Sequence, residues 1–414
     1  MYKTRYVCLV CALALPAAWM PLSAQSSPVI YSFTGSTSDG ANPHRAVVIA
    51  SNGTLYGTTV YGGSSNDGTV YKVTPGGGSW TESLLHSFTG STSDGSEPDG
   101  DLLLSGTSLY GTTSLGGSSS DGTVFQDKNN MGTWTETVLY NFTGGGSDGN
   151  GPFAGVIANS SVLYGTTFYG GTSGNGAIYS LTPSGSSWTE AVLYSFTGTS
   201  GDGANPHAAL VYAGSNTYYG TTYYGGTYGY GTVYELQYSG SSWTETPLYS
   251  FTGGSDGSNP HSALIIDSSG ALYGTTVLGG AHSKGTVYKL TPGGGGSRAE
   301  SVLYSFGASA SDGAIPRAGV VFGSSQTVLY GAATEGGGSA NCTGGCGTVY
   351  ELSYSGGSWS ETILYSFTGS ANSDGADPYS DIIYSGGWIY GTTYNGGTSA
   401  NCTGGCGTVY ALQP

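Results

Sequence analysis

Charged residues are scarce in this sequence, and basic residues are the scarcest. Asp, Glu, Lys and Arg make up 8% of the 414 residues, with 9 basic side chains against 25 acidic ones. The formal net charge of −16 would repel a phosphate backbone, which argues against a nucleic-acid partner. No apolar run beyond the N-terminal segment approaches the length of a membrane span. We therefore expect neither a nucleic-acid partner nor a transmembrane segment in the mature chain.

Long helices are also not expected, because glycine is abundant throughout the chain. The sequence has 76 Gly residues, which lie between short aromatic and β-branched runs. Glycine costs backbone entropy within helices and supplies the positive φ of tight turns, so this pattern predicts strands and hairpins. Disorder is the competing interpretation, but 37% hydrophobic and 13% aromatic residues at regular spacing can bury a core.

The N-terminal segment has the pattern of a cleavable signal peptide. Lys3 and Arg5 precede an apolar stretch over residues 6–20, and Ala24 supplies a small residue before the expected cleavage point. Removal of residues 1–24 takes away two bases and no acid, which changes the formal charge from −16 to −18. We expect a secreted protein, located outside the cell or in the cell envelope.

A repeat of 54 to 55 residues determines the predicted fold. The Phe of an S-F-T-G element recurs at steps of 55, 54, 54, 55, 55 and 61 residues, and such internal periodicity is typical of repeat architectures. Its positions are Phe33, Phe88, Phe142, Phe196, Phe251, Phe306 and Phe367. Each unit contains four runs: an apolar inner run such as residues 209–212, then L-Y-G-T-T, G-T-V-Y and a Trp-led outer run. Four-stranded sheets repeated radially form a β-propeller.

The two ends of the repeat region are incomplete in a complementary way. The region begins with a lone outer strand, residues 29–35, and ends after a third strand, residues 407–412. If the first strand completes the last blade, every strand type occurs seven times. We therefore predict an all-β, seven-bladed β-propeller of four-stranded antiparallel blades, closed by the N-terminal strand. Residues 25–414 would form this single domain, as a monomer.

The repeat motifs resemble those of the GloVer tandem-repeat family of secreted bacterial proteins. The resemblance covers residues 29–412 through L-Y-S-F-T-G, S-D-G-x-x-P, L-Y-G-T-T, G-G and G-T-V-Y. It implies a repeat architecture and no known reaction. The family often carries a C-terminal cell-surface anchor, and this sequence departs from that pattern by ending at Pro414, which leaves surface attachment open. The Gly-Gly, Tyr and Trp order is similar to a kelch blade by analogy only, because the gap from Tyr71 to Trp80 is wider.

One Asp-Gly turn per repeat should lie on the face that we call the top face. The top face carries the loops from each outer strand to the next inner strand and the loops between second and third strands. The recurring acids are Asp39, Asp94, Asp148, Asp202, Asp256, Asp312 and Asp374. They fit turns in which Asp accepts backbone N–H groups. A calcium ring is the weaker alternative, since one Asp per turn supplies too few oxygens; we expect no cofactor and no metal.

The position after the repeat proline varies between blades and should lie at the mouth of the central channel. It is occupied by His44, Asp99, Phe153, His207, His261, Arg317 and Tyr379. Variation on a constant framework is typical of a binding surface. The three histidines fall in blades 1, 4 and 5, a spread that argues against a compact histidine site.

An acidic group is predicted beside this position. Blades 2 and 7 have Asp101 and Asp381 where the other blades have Ala or Gly, and Glu97, Asp99 and Asp377 lie nearby in the sequence. We call these five residues the acidic pole. Paired carboxylates can catalyse glycan cleavage or hold a cation, and solvated channel acids are the other interpretation.

Aromatic residues in the top-face loops form a further candidate site. The repeat motifs explain most of the 34 Tyr residues but not those beside the Gly-Gly loops. These are Tyr61, Tyr169, Tyr224, Tyr228 and Tyr230. Exposed rings beside glycine and serine are suited to stacking on sugars, so they are carbohydrate-binding candidates.

Two cysteine pairs recur in equivalent loops of adjacent blades. Cys342 and Cys346, like Cys402 and Cys406, are separated by Thr-Gly-Gly. Export would oxidise them, and we predict two local disulfides. A four-cysteine zinc site across both loops is the alternative.

No catalytic signature is present among those sought: G-x-S-x-G, H-E-x-x-H, a Walker motif or a dinucleotide fingerprint. The main functional expectation is a secreted, non-catalytic binding or scaffold module whose ligand is a polysaccharide or a surface protein. The alternative is a polysaccharide-active hydrolase or lyase with Asp101 and Asp381 as its catalytic residues.

Overall fold

The computed structural model describes residues 28–199, 201–294 and 298–414. Within these residues the chain forms seven four-stranded antiparallel blades, and a short 3-10 turn covers Ser370–Asn372. The predicted seven-bladed β-propeller is confirmed. The expected signal peptide, residues 1–24, lies outside the described residues. No helix in the described part of the chain has the length and apolar character needed to cross a membrane.

Each blade contains an inner, a second, a third and an outer strand, and blades are numbered by their inner strands in chain order. The inner strands are Val48–Ile49, Leu103–Ser105, Ile157–Asn159, Val211–Gly214, Ile265–Ile266, Val320–Phe322 and Ile383–Ser385. The second strands are Leu55–Thr59, Ser108–Thr113, Val162–Thr167, Thr217–Thr222, Leu272–Leu278, Val328–Ala333 and Trp388–Thr393. The third strands are Thr69–Gly76, Thr123–Asn130, Ala177–Ser184, Thr232–Ser239, Thr286–Pro292, Thr348–Ser355 and Thr408–Leu412. The outer strands are Ser79–Ser87, Thr133–Asn141, Ser187–Ser195, Ser242–Ser250, Arg298–Ser305, Ser358–Ser366 and Val29–Ser32.

Short ladders join the top-face loops of every blade. Six are two-residue pairs: Gly40–Ala41 with Tyr61–Gly62, Gly95–Ser96 with Leu115–Gly116, Gly149–Asn150 with Tyr169–Gly170, Gly203–Ala204 with Tyr224–Gly225, Gly313–Ala314 with Glu335–Gly336, and Gly375–Ala376 with Asn395–Gly396. In blade 5, Ser258–Pro260 pairs directly with the end of the second strand. The first strand of each ladder lies a few residues before the variable channel-mouth position of its blade.

The N-terminal strand closes the ring as predicted. Val29–Ser32 pairs antiparallel with Thr408–Leu412, so the last blade is assembled from both ends of the repeat region. The loop that contains the second disulfide also reaches this strand, because the side chains of Ser399 and Asn401 donate hydrogen bonds to the carbonyl of Thr34 at 2.9 and 2.8 Å.

Both predicted disulfides are present, Cys342–Cys346 and Cys402–Cys406. Each packs on the turn that follows an outer strand. A Cβ added to Gly35 would lie 2.8 Å from both sulfurs of the second pair. Since Gly35 also has a φ of +64°, only glycine fits between this turn and the disulfide.

Aromatic pairs fill the space between neighbouring blades. The Phe after each outer strand is fully buried and meets, edge to face, an aromatic ring of the next blade's third strand, as Phe196 does with Tyr234 at 5.2 Å between centroids. That ring covers the glycine of L-Y-G-T-T, and a Cβ on Gly220 would lie 2.3 Å from the Tyr234 hydroxyl oxygen. The recurring Phe, Tyr and Gly are therefore one packing unit, repeated at each blade interface.

The inner strands begin later than the sequence predicts. The sequence predicts a strand over residues 209–212, whereas regular pairing covers Val211–Gly214. The residues just before it are held by the preceding blade, where the Thr166 hydroxyl donates to the carbonyl of Ala208 at 3.1 Å. That carbonyl is engaged between blades, so the ladder within the blade starts further along.

A tyrosine, an aspartate and a glutamate also meet at the blade interfaces. Between blades 2 and 3 the Tyr140 hydroxyl donates to Asp148 at 3.2 Å, and Glu190 lies beside both. Burial, with the charge of Asp148, raises the pKa of Glu190 to about 7. The glutamates at the same position in other blades also have raised pKa values. Burial raises the pKa of Glu82 and Glu245 to about 8.

Phe33→Ala should destabilise the fold as much as Phe196→Ala if the N-terminal strand is a full member of the ring. Both rings are fully buried, and such truncations cost about 3–5 kcal/mol. Urea unfolding of the two variants makes the comparison. A nearly neutral Phe33→Ala beside a destabilising Phe196→Ala would contradict closure by this strand.

Glu190→Gln should flatten the pH dependence of stability. The folded pKa of about 7 exceeds the unfolded value of 4.5, so the folded chain binds more protons between these values. The contribution of Glu190 to stability is therefore complete below the lower pKa and is lost as pH rises through the higher one. Glutamine does not ionise. Melting temperatures across this window should fall less steeply for Glu190→Gln than for the wild type; equal slopes would refute the assignment.

Candidate functional site

The channel-mouth residues predicted from the sequence converge on the propeller axis. His44 lies at the centre of one group, where its Nδ1 hydrogen-bonds the carboxylate of Asp99. Arg45 reaches the same residue, with its Nε bonded to the Asp99 carbonyl and 3.4 Å from the carboxylate. Burial opposes ionisation of Asp99, but the charges of His44 and Arg45 outweigh it and hold the pKa of Asp99 below its ordinary value. Asp99 is therefore a carboxylate, and in this form it orients the ring of His44.

A second group of channel-mouth residues lies next to the first. The rings of His207 and His261 stack with centroids 3.9 Å apart, and Phe153 stacks on His207 at 5.5 Å. Arg45 connects the two groups, since its Nη2 donates to the Phe153 carbonyl at 2.8 Å and lies 3.5 Å from Nδ1 of His207. Burial, with the neighbouring positive charges, lowers the pKa of both histidines well below the ordinary value.

This pairing corrects one expectation from the sequence. The spread of histidines over blades 1, 4 and 5 argues against a compact group, yet His207 and His261 are in contact. The reason is geometric: neighbouring inner loops converge near the axis, where residues one repeat apart become adjacent.

Arg317 and Tyr379 complete the mouth. The Arg317 guanidinium lies over the Tyr379 ring, 4.6 Å from its centroid, and the centroid of the same ring is 4.6 Å from that of His44. The five proposed mouth ligands, His44, His207, His261, Arg317 and Tyr379, are thus brought close together. Their role in binding remains a prediction.

A pocket of about 310 Å³ opens beside His44 on the top face. It is lined by His44, Val60, Tyr61, Glu97, Asp99, Tyr379 and Tyr394. The pocket therefore combines members of three predicted sets: a mouth histidine, a loop tyrosine and two acids of the acidic pole. Because Nδ1 of His44 is engaged by Asp99, Nε2 is the ring nitrogen left for a ligand.

Glu97 lines the pocket at a repeat position that is occupied by an asparagine in blade 1. The residue before the repeat proline has a positive φ, 57° at Asn42 and 54° at Glu97. Asn42 uses its amide to donate to the Tyr394 carbonyl at 2.9 Å, a bond that a carboxyl group cannot make as a carboxylate. Burial, followed by the charges of Asp99 and Asp67, raises the pKa of Glu97. Glu97 is thus a carboxyl group that retains its proton more readily than an exposed one.

The pocket tyrosines are hydroxyl donors. Burial raises the pKa of Tyr394 to about 12, and burial with the nearby acids also raises that of Tyr61. Sequence reasoning missed Tyr394. The sequence does contain a pattern that points to this residue. The position after L-Y-G-T-T varies between blades, with Val60, Ser114 and Tyr394 as examples.

Asp101 and Asp381 lie in the inner wall of the channel, outside the set of pocket-lining residues. Each accepts a backbone N–H from the preceding blade: Asp101 from Ala46 at 3.0 Å and Asp381 from Gly319. Burial, with the charge of Asp101 next, raises the pKa of Asp381 to about 7. Burial also raises the pKa of Asp101, and each of the two carboxylates joins its own inner strand to the blade before it. Asp377 is separate, since it accepts a hydrogen bond from the Asn395 amide at 2.7 Å.

The remaining loop tyrosines are exposed on blades 3 and 4. Tyr169, Tyr224, Tyr228 and Tyr230 have exposed fractions of 45 to 58%. The structure brings only Tyr61 of the predicted set into the described pocket. Sugar stacking by the others remains a prediction.

The Asp-Gly turns have the geometry expected of hydrogen-bonded turns. Asp39 is one example: its carboxylate accepts the backbone N–H of Thr34 at 2.8 Å and that of Gly40 at 2.7 Å. The Thr34 hydroxyl donates to it as well, at 2.7 Å. These bonds account for the recurring acid.

A family model described as the Gloeobacter/Verrucomicrobia repeat matches residues 20–146 and 131–345. The match confirms the resemblance drawn from the repeat motifs. No curated protein matches the chain.

Several solved propellers are similar in fold. A candidate 6-phosphogluconolactonase from Bacteroides uniformis has a TM-score of 0.51 at 12% identity, over 84% of this chain and 89% of that one. A second, from Bacteroides fragilis, has a TM-score of 0.49 at 14% identity, over 79% and 85%. A periplasmic gluconolactonase from Pseudomonas aeruginosa has a TM-score of 0.49 at 13% identity, over 89% and 98%.

These neighbours correct the main functional expectation. The sequence predicts a non-catalytic module, whereas one propeller similar in fold, from Bacteroides uniformis, is described as a candidate 6-phosphogluconolactonase. The non-catalytic interpretation is wrong on this finding, and the hydrolase alternative is the better supported of the two. At 12–14% identity the likeness shows the fold alone, so any activity must be argued from this chain's own pocket.

Asp101→Asn should lower the pKa of Asp381 from about 7, because the substitution removes a neighbouring negative charge. The asparagine oxygen can still accept the Ala46 N–H, so the fold should persist. Carboxyl-carbon NMR titration measures the change. An unchanged pKa would mean that burial alone raises it.

Proposed function

The chain belongs to the Gloeobacter/Verrucomicrobia repeat family, and from its pocket we propose that it is a hydrolase of small sugar-derived lactones or esters. One observation carries the proposal: His44, oriented by Asp99, lines a pocket of about 310 Å³ together with Glu97 and three tyrosines. A base, an acid and hydroxyl donors therefore surround one volume. The pocket suits a monosaccharide-sized substrate rather than a chain running through the channel.

His44 is the proposed general base. The Asp99 carboxylate fixes Nδ1 as the bonded nitrogen, which leaves Nε2 to accept a proton from water. As the water oxygen bonds to the substrate carbonyl carbon, its proton passes to Nε2. Asp99 then stabilises the imidazolium that forms, in the way that an acid behind a catalytic histidine does.

The tyrosines and Glu97 supply the remaining steps. A tyrosine hydroxyl donates to the oxyanion as negative charge develops on the carbonyl oxygen. When the intermediate collapses, the bond from the acyl carbon to the leaving oxygen breaks, and Glu97 gives its proton to that oxygen. The products are an acid and an alcohol, joined in one hydroxy acid when the substrate is a lactone.

The substrate class follows from the lining. Aromatic rings with hydroxyl groups provide both a flat apolar surface and hydrogen-bond donors, which suits polyhydroxylated rings. The lactonase descriptions of the structural neighbours are consistent with this class. They supply no residue to the argument.

We also propose that this reaction takes place outside the cytoplasm. Two disulfides support an oxidising compartment, and the N-terminal pattern supports export. Surface attachment, a monomeric state and kelch kinship stay expectations.

His44→Asn and Glu97→Gln should each lower kcat/KM for sugar lactones by about a hundredfold or more, the usual effect of losing a general base or acid. The assay follows acid release from aldonolactones and from p-nitrophenyl esters, with spontaneous hydrolysis subtracted. Glu97→Gln should also change the pH profile. The wild-type rate should fall as pH rises through the pKa of Glu97, since ionised Glu97 cannot donate a proton, and this limb should vanish in the variant.

His282→Gln is the matched control, because His282 is exposed in a blade 5 loop and outside the pocket lining. It should retain full activity. Wild-type protein that hydrolyses neither substrate series faster than His44→Asn would refute the proposal. Cleavage of glycans that depends on Asp101 and not on His44 would move the reaction to the other acids.

A further inference from the structure

The interface between blades 1 and 2 breaks the repeat at two positions. The first is the outer-strand residue that bonds the Asp-Gly turn. Tyrosine occupies it at the other interfaces, as Tyr31, Tyr140, Tyr194, Tyr249, Tyr304 and Tyr365. His86 replaces it here, so a nitrogen ligand stands where the other blades have a phenol.

The second position is opposite the interface glutamate. The third-strand residue paired with that glutamate is Val73, Leu181, Leu236, Leu290 or Leu352 in five blades. In blade 2 it is Asp127, directly opposite Glu136. Residues directly opposite in an antiparallel pair have their side chains on the same face. Asp127 therefore adds a carboxylate to the face that holds Glu136.

His86, Asp94 and Glu136 already have the geometry of a ligand set. Their candidate ligand atoms all lie within 4.8 Å of one another, and Nε2 of His86 is 3.3 Å from Asp94. They come from an outer strand, a top-face turn and the next blade's outer strand. The fold therefore fixes three separate segments around one point.

Asp127 is the independent sign of a ligand. It has no exposed surface, and neither carboxylate oxygen has a hydrogen-bond partner within the described residues. A buried acid without a partner costs several kcal/mol in general, and the leucine of other blades would avoid that cost. A cation bound at Glu136, which lies directly opposite Asp127 in the strand pair, would offset this cost.

We propose that His86, Asp94 and Glu136 bind one divalent transition-metal ion, with Zn²⁺ as the best candidate and with the buried carboxyl group of Asp127 adding negative charge beside this ligand set. One imidazole nitrogen with carboxylates suits zinc, whereas calcium prefers oxygen ligands alone. The site is distinct from the His44 pocket and independent of the proposed hydrolysis. It would join blades 1 and 2 through ligands from both.

Zinc titration of the metal-stripped protein tests the site. Isothermal calorimetry and native mass spectrometry should find one Zn²⁺ per wild-type chain, with a rise in melting temperature. His86→Tyr and Asp127→Leu install the residues used at sister interfaces, so both should fold. Each should weaken Zn²⁺ binding by about tenfold or more, and the double variant should lose it. Calcium should not compete.

Tyr140→His is the matched control. It places a histidine beside Asp148 and Glu190 at the next interface, where Leu181 stands in place of the extra acid. It should add no second zinc to the wild-type stoichiometry. Co²⁺ gives a further readout, since its visible spectrum should show nitrogen and oxygen ligation only while His86 is present. A wild-type chain that binds no Zn²⁺, or Asp127→Leu that binds it equally well, would overturn the proposal and leave His86 as an ion-pair partner.

Discussion

Every blade interface depends on one packing unit: a buried Phe against an aromatic ring that lies on a strand glycine. A side chain at the glycine would occupy the space of that ring, as Gly220 and Tyr234 illustrate. The backbone ladder fixes the distance between second and third strands, and the aromatic unit fills the space between the blades. Because it recurs around the ring, including at Phe33 of the N-terminal strand, the ring closes, and residues one repeat apart can meet at the axis.

The pocket results from that convergence and from local departures from the repeat. A framework residue such as Asn42 donates a hydrogen bond from its side-chain amide to the Tyr394 carbonyl of the neighbouring blade. Glu97, at the same position, cannot donate that bond as a carboxylate and contributes to the pocket. His44 is held by Asp99 one repeat later. Residues of blades 1, 2 and 7 thus build a chemically mixed pocket on the top face, and blades 1 and 2 also depart from the repeat at His86 and Asp127.

The sequence predicts most of the fold because the repeat carries it. Phe spacing, the complementary ends and the paired cysteines lead to blade number, closure and disulfides. It predicts the site only in part. Spacing places His207 and His261 in different blades but does not say that the inner loops bring their rings into contact. Asp101 and Asp381 are evident as departures, yet the bonds to Ala46 and Gly319 are visible only in three dimensions. The sequence also shows that His86 and Asp127 depart from the residues found at the same positions of other repeats. It does not show that they lie near each other, because that depends on the strand register.

The central claim is that the pocket beside His44 is where a sugar-derived substrate reacts. Histidine-selective ¹⁵N NMR during titration with an aldonate, the product of lactone hydrolysis, tests it most directly. The account predicts that the Nε2 resonance of His44 shifts in a saturable way, while that of exposed His282 does not. Saturable binding that leaves His44 unchanged would contradict the account.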